Sequence, residues 1–112
     1  MADLREVIFR GDSLVALRRF PLSARKRAGR QLELVQMGHE PSDWKPLTTV
    51  GPGVREIRLR DDSGIYRVIY LTKFAERIFV LHCFQKKTQK TSGADIELAS
   101  RRYKELLKEY SR

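Results

Sequence analysis

Apolar positions along the chain change period several times, and each change marks an element boundary. Residues 5–9 (Arg-Glu-Val-Ile-Phe) read as a short strand closed by Gly11, after which Asp12 or Ser13 can accept hydrogen bonds from the open amides of a helix start. A short helix from Leu14 to Phe20 stops at Pro21. Ser23 offers a second N-cap. Ala24, Ala28, Leu32 and Val35 then recur at three- to four-residue spacing until Met37 and Gly38, where glycine supplies a left-handed C-terminal residue. Two helices on so short a connection form a hairpin, with Arg25, Lys26, Arg27 and Arg30 on its solvent-facing side. From His39 to Gly53 the periodicity disappears. Pro41, Pro46, Gly51, Pro52 and Gly53 punctuate a loop of about fifteen residues, near the upper limit for a compact domain.

The second half reads mostly as sheet. Val54 to Arg60 alternates apolar and polar residues, Asp61 to Gly64 is a turn, and Ile65 to Leu71 is a β-branched and aromatic run, which together predict a hairpin. After a turn from Thr72 to Arg77, Ile78 to Phe84 is the most apolar strand and is expected at the centre of the sheet; its continuation, Gln85 to Lys90, is polar and basic. Ser92 or Asp95 caps a last helix on which Ile96, Ala99, Tyr103, Leu106 and Tyr110 form an apolar stripe. The order β-α-α-β-β-β-α predicts an α+β domain: an antiparallel sheet with an N-terminal helical hairpin and a C-terminal helix packed on it.

Composition narrows the partners. A chain of 112 residues, 41% hydrophobic, is one domain's worth and can build a core. No apolar run approaches the roughly 20 residues of a membrane helix, and acids occupy the opening stretch where a signal peptide is apolar, so a cytoplasmic location is expected. One Cys and two scattered His give neither a disulfide nor a metal-ligand spacing, so no metal or cofactor is expected. Against these exclusions stands the charge: 23 Lys and Arg against 14 Asp and Glu, net +9, with net +6 on residues 54–112. Such a field attracts polyanions, and nucleic acid leads among them.

Strand alternation sorts the candidate residues. Glu56, Arg58 and Arg60 share one side of their strand, whereas Arg55, Ile57 and Leu59 share the other, which must face the core. Arg67 stands alone among Tyr66, Val68, Ile69 and Tyr70, and a charge in so apolar a run requires a partner or a wet cleft. An ion pair with Glu56 across the hairpin and a phosphate-binding guanidinium on a concave sheet face both satisfy it. Lys86-Lys87-Thr88-Gln89-Lys90-Thr91 places three ammonium groups and two hydroxyls at the mouth of the sheet, as a solvated turn or a phosphate clamp. His82 has no Asp or Ser partner at readable spacing and reads as a sheet histidine; His39 reads as a polar loop residue and Cys83 as a small buried hydrophobe. Trp44 beside Lys45 either stacks on a nucleobase or pins the loop to the core.

The segments Glu56-Ile-Arg58, Tyr66-Arg67-Val-Ile-Tyr70, Leu81-His-Cys-Phe84-Gln-Lys86-Lys87-Thr88-Gln-Lys90-Thr91 and Asp95-Ile96-Glu97-Leu98-Ala99 together resemble the RelE/ParE toxin superfamily, in particular its phage-derived, HigB-like branch. The likeness runs over nearly the whole chain. It implies a RelE-like fold and a type II toxin: a metal-independent endoribonuclease that cuts messenger RNA on the ribosome by attack of a ribose 2′-OH on the adjacent phosphate. It further implies a cognate antitoxin, commonly of helix-turn-helix type, and binding of promoter DNA by the pair. Arg58 and Arg67 match the family's basic sheet positions, and Lys86 or Lys87 its basic residue at the end of the last strand. On this basis Arg67 and Lys86 are expected to hold the scissile phosphate, with Arg58 and Lys87 neutralising the transition state or protonating the leaving oxygen. Glu56, standing where RelE has a base, is expected to act as general base or to orient Arg58. Arg55, Arg60, Lys90, Lys45 and Trp44 are expected to contact RNA around them. The family's C-terminal catalytic Tyr has no clear match, since Tyr103 and Tyr110 lie on the apolar stripe, and Ser92-Gly93 replaces a Pro common in the HigB-like branch. Two other readings share these residues: a ParE-like toxin that inhibits DNA gyrase by binding, and a basic nucleic-acid-binding module without activity.

Overall fold

The structure is a computed structural model that describes residues 3–87 and 89–111. Strands β1 (Val7–Phe9), β2 (Trp44–Pro46), β3 (Arg55–Asp61), β4 (Gly64–Lys73) and β5 (Arg77–Lys86) form one sheet in the order β1-β5-β4-β3-β2. Helices α1 (Ser13–Arg18) and α2 (Leu22–Gln36) cover one face, and α3 (Gly93–Tyr110) covers the other. The α+β architecture and the order of its long elements match the expectation from the sequence.

Alternation does the sorting. Ile57, Leu59, Tyr66, Val68, Tyr70, Ile78, Val80 and Cys83 pack against Leu17, Phe20, Ala24, Ala28, Leu32 and Val35 of the first helical layer. Ile69, Leu71, Phe79, Leu81 and Phe84 point the opposite way, onto Ala99, Tyr103 and Leu106 of α3. The stripe foreseen on the last helix therefore has its partner. Ser92 caps that helix by accepting from the Asp95 amide at 3.2 Å.

Four expectations are corrected. The loop after α2 contains β2, which pairs antiparallel with Arg55–Ile57; three residues are too short to show a period. The middle strand is β4, with β5 beside it, enclosed between β4 and β1 as its apolar run requires, and the parallel β1 makes the sheet mixed rather than wholly antiparallel. Pro21, not Ser23, sits at the N-cap of α2, where its fixed φ of −52° enters the helix, and the Ser23 hydroxyl instead donates to Asp61. Tyr110 is exposed at the end of its stripe and stacks on Phe74 with ring centroids 4.3 Å apart.

One irregularity interrupts the ladder. Pairing between β4 and β5 slips after Ile69–His82, because the next pair is Tyr70–Val80, which leaves Leu81 as an extra residue. The backbone groups around the slip are satisfied from outside the ladder. Val80 O accepts from the Ser13 hydroxyl at 3.2 Å and the Arg10 amide at 2.9 Å, and Leu81 O accepts from Arg102 Nη1 at 2.9 Å. Arg102 also pairs with Asp12 at 2.6 Å, crossing close above Gly11, so α3, the bulge and the start of α1 are tied together. The contact holds the Asp12 carboxyl below its ordinary range, first by its hydrogen bond to Arg102.

The second half of the former loop packs down through Leu47, Val50 and Val54, and the buried Gly51 lies flat beneath the Tyr103 ring. A methyl group at Gly51 would overlap that ring. Gly51→Ala is accordingly expected to cost about 1–3 kcal/mol, measured as a lower denaturation midpoint with an unchanged m-value.

A candidate phosphate-binding cleft

On an antiparallel ladder, directly paired residues share a face. The register pairs Lys45 with Glu56, Arg58 with Arg67, Arg60 with Ile65, and Ile65 with Lys86. All of these side chains therefore emerge on the α3 side of the sheet, at the end α3 leaves uncovered. There Arg58, Arg60, Ile65, Arg67 and Lys86 line an open cleft of about 540 Å³ together with Lys87 and Gln89. Of these seven described lining residues five are cationic and none is acidic. That volume falls in the range of sites that hold small molecules.

The floor is a buried ion pair. Glu56 is fully buried and Arg67 is 5% exposed. Glu56 Oε1 lies 3.4 Å from Arg67 Nε and 3.6 Å from Lys45 Nζ, and Oε2 accepts from the Thr91 hydroxyl at 2.8 Å. Arg67 Nη1 donates to the Tyr66 carbonyl at 3.1 Å, while Nε makes no hydrogen bond and is held to Glu56 by charge alone. Burial pushes the Arg67 guanidinium below its ordinary pKa, and Glu56 opposes that shift. The lone arginine of the apolar run has thus both the ionic partner and the cleft that its sequence context required.

At the rim, burial together with the charges of Arg67 and Lys45 holds the Lys86 ammonium below the usual lysine value. Arg58 Nε is 3.7 Å from Asp43, and Lys87 is exposed. Thr88, one of the two hydroxyl groups foreseen at the mouth, lies outside the described residues. Lys90 lines a smaller adjoining pocket with Lys86 and Lys87, and Thr91 reaches inward to Glu56 instead of facing the mouth.

Some expected residues are placed elsewhere. Arg55 and Trp44 share the opposite face of β3 and β2, where the guanidinium covers the indole at 3.9 Å and pairs with Glu40 at 3.1 Å. Neither lines the cleft, and Arg55 covers one face of the Trp44 ring. Glu56 contacts Arg67 rather than Arg58, because the diagonal across the hairpin brings that pair together. Full burial also leaves Glu56 no route to a bound 2′-OH in this arrangement. His82, expected without an acidic partner, bonds through Nε2 to Asp95 Oδ1 at 2.7 Å and stacks on Phe84 at 4.9 Å. The bulge that turns His82 toward α3 is absent from any sequence period. Burial raises the Cys83 thiol to about 12, which makes it unreactive packing.

Glu56→Ala would leave Arg67 buried beside Lys45 with no counter-charge. We expect a loss of about 3 kcal/mol, since breaking a buried pair exposes its uncompensated partner. Lys45→Ala, at a side chain 44% exposed, should cost under about 1 kcal/mol. Chemical denaturation of the two variants compares them.

Comparisons with known proteins give a family and a fold. The family model described as "Phage derived protein Gp49-like (DUF891)" matches residues 16–104. A free-state arginine mutant of the Escherichia coli toxin RelE superposes with a TM-score of 0.63 at 19% identity, over 93% of this chain and 99% of that one. No curated protein matches the chain.

Proposed function

The chain belongs to the phage-derived Gp49-like family, and from that premise and its RelE-like fold we propose that it is the toxin of a type II toxin-antitoxin pair and cuts messenger RNA on the ribosome without a metal. The observation that carries the reading is the cleft itself: five cations around one open hollow, with Asp43, paired to Arg58, in the adjoining one. Such a site selects a group with delocalised negative charge, and a phosphodiester in an RNA strand has it.

The chemistry follows from what those cations can do. The bond from the 2′-oxygen to phosphorus forms as the bond from phosphorus to the 5′-oxygen breaks, leaving a cyclic phosphate and a 5′-OH. Charge grows on the phosphate oxygens, and Arg67 beneath with Arg58 beside them meets it; one preorganised donor of this kind is worth roughly 3 kcal/mol of barrier. The 2′-OH proton passes to water in the open cleft. Lys86 supplies the proton for the departing 5′-oxygen, because its lowered pKa makes it a stronger acid than an ordinary lysine. Glu56 acts by holding Arg67 and Lys45 in place, not as a base.

A cognate antitoxin would carry acidic side chains into the cleft or block access to the ribosome, and with this chain it would bind promoter DNA. Expression of the wild-type chain alone is expected to halt growth and fragment transcripts, whereas Arg67→Ala and Lys86→Ala restore growth. In purified ribosome complexes each variant should lose about 10²–10³ in rate, and a 2′-deoxy substitution at the cut position should abolish cleavage. Growth arrest with intact transcripts and a DNA-damage response would instead indicate gyrase as the target.

A pH profile checks the role of Lys86. Its working form is the ammonium, so the rate holds below the Lys86 pKa and falls as pH rises through it, at a lower pH than an unperturbed lysine would give. Lys86→Arg should carry that falling limb out of the accessible range while lowering the plateau.

A further inference from the structure

From Arg18 to Leu32 the chain contains six cations and no acid. Arg25, Lys26 and Arg27 fall near the N-terminal end of α2, whose first turn holds no acidic residue, so they oppose the helix dipole rather than complement it. Lys26 and Arg27 lie four and three residues before Arg30, spacings at which like charges on a helix repel. Glu33 relieves only Arg30, at 2.6 Å. This arrangement costs the fold stability, and the cleft does not use it.

Its position gives it a use. Lys26, Arg27, Arg30, Gln31, Ser42 and Asp43 border a second groove, also of about 540 Å³, closed on its other side by Arg58, Leu59 and Arg60. Arg58 and Arg60 are walls of the phosphate cleft as well. The two hollows therefore adjoin at the edge of β3 beyond its pairing with β2, which ends at Ile57. Acids on this path are already engaged: Asp43 lies 3.7 Å from Arg58, and Asp61 accepts from Ser23. We propose that this groove is the second half of the binding track, gripping the flanking phosphates of the same single RNA strand whose scissile phosphate sits in the cleft. The proposal rests on the reading of the cleft as an RNA site. A single strand suits this path because it follows the turn over a sheet edge, within a molecule 44 × 39 × 23 Å, without the deformation energy that bending a duplex there would cost.

The test uses the full chain, wild type and Lys26→Gln/Arg27→Gln/Arg30→Gln. The probes are a 12-nucleotide RNA with 2′-deoxy at the cut position, a trinucleotide of the same centre, and a 12-base-pair RNA duplex. Each lost phosphate contact on a single strand lowers the salt slope by about 0.7, so the triple variant should bind the 12-mer with a slope smaller by about 2 and, at 0.1 M salt, on the order of 100-fold more weakly. Trinucleotide binding should not change, and the melting temperature should stay level or rise. An unchanged slope, an equal loss on the trinucleotide, a larger loss on the duplex, or a lower melting temperature would each overturn the track. Cleavage is scored separately, on an unmodified transcript in purified ribosome complexes: a wild type that binds the 12-mer with the expected slope yet never cuts that transcript would defeat the nuclease reading and leave the track standing.

Discussion

A carboxylate with no access to water, set under two cations, is the constraint on which the open end of the sheet depends. Glu56 gives Arg67 and Lys45 a common counter-charge and takes the Thr91 hydroxyl on its other oxygen. Without it, guanidinium and ammonium groups on adjacent strands would repel one another out of the hollow they line. The same carboxylate also joins the segment entering α3 to the cleft floor, since Thr91 lies just ahead of that helix. Cation density and local order are thus two results of one buried charge. This fits the general behaviour of buried ion pairs, whose value lies more in fixing a geometry than in adding net stability.

Much of this was legible in the chain. The β3–β4 hairpin, the α3 stripe and the inward face of Ile57 and Leu59 follow from period alone, and Arg67 was conspicuous because its neighbours exclude charge. Convergence of Arg58, Arg67 and Lys86 on one face needed register as well, and the two-residue turn at Asp62 and Ser63 sets the β3–β4 part of it. Arg55 shows the limit of reasoning from charge. Its parity with Ile57 already placed it on the core side, and Trp44 and Glu40 satisfy it there. The His82–Asp95 contact could not have been read, because a bulge breaks the alternation that reading relies on.

The helical layer behind the sheet has the opposite character. The basic run on α2 looked like an ordinary wetted helix side, and its individual positions are indeed exposed. Only the shared wall at Arg58 and Arg60 sets it beside the cleft. Repulsion within such a run is tolerated because the two cores on either side of the sheet supply the stability, with Val68, Ile69, Ile78, Phe79, Val80 and Leu81 all wholly enclosed.

Every described residue that lines the cleft falls between positions 58 and 89, whereas the neighbouring groove takes its helical wall from 26–31. The two linings are thereby written in separate stretches of the gene and have only Arg58 and Arg60 in common among the described residues. A substitution on α2 can therefore change the charge of the groove while every described side chain of the cleft stays as it is.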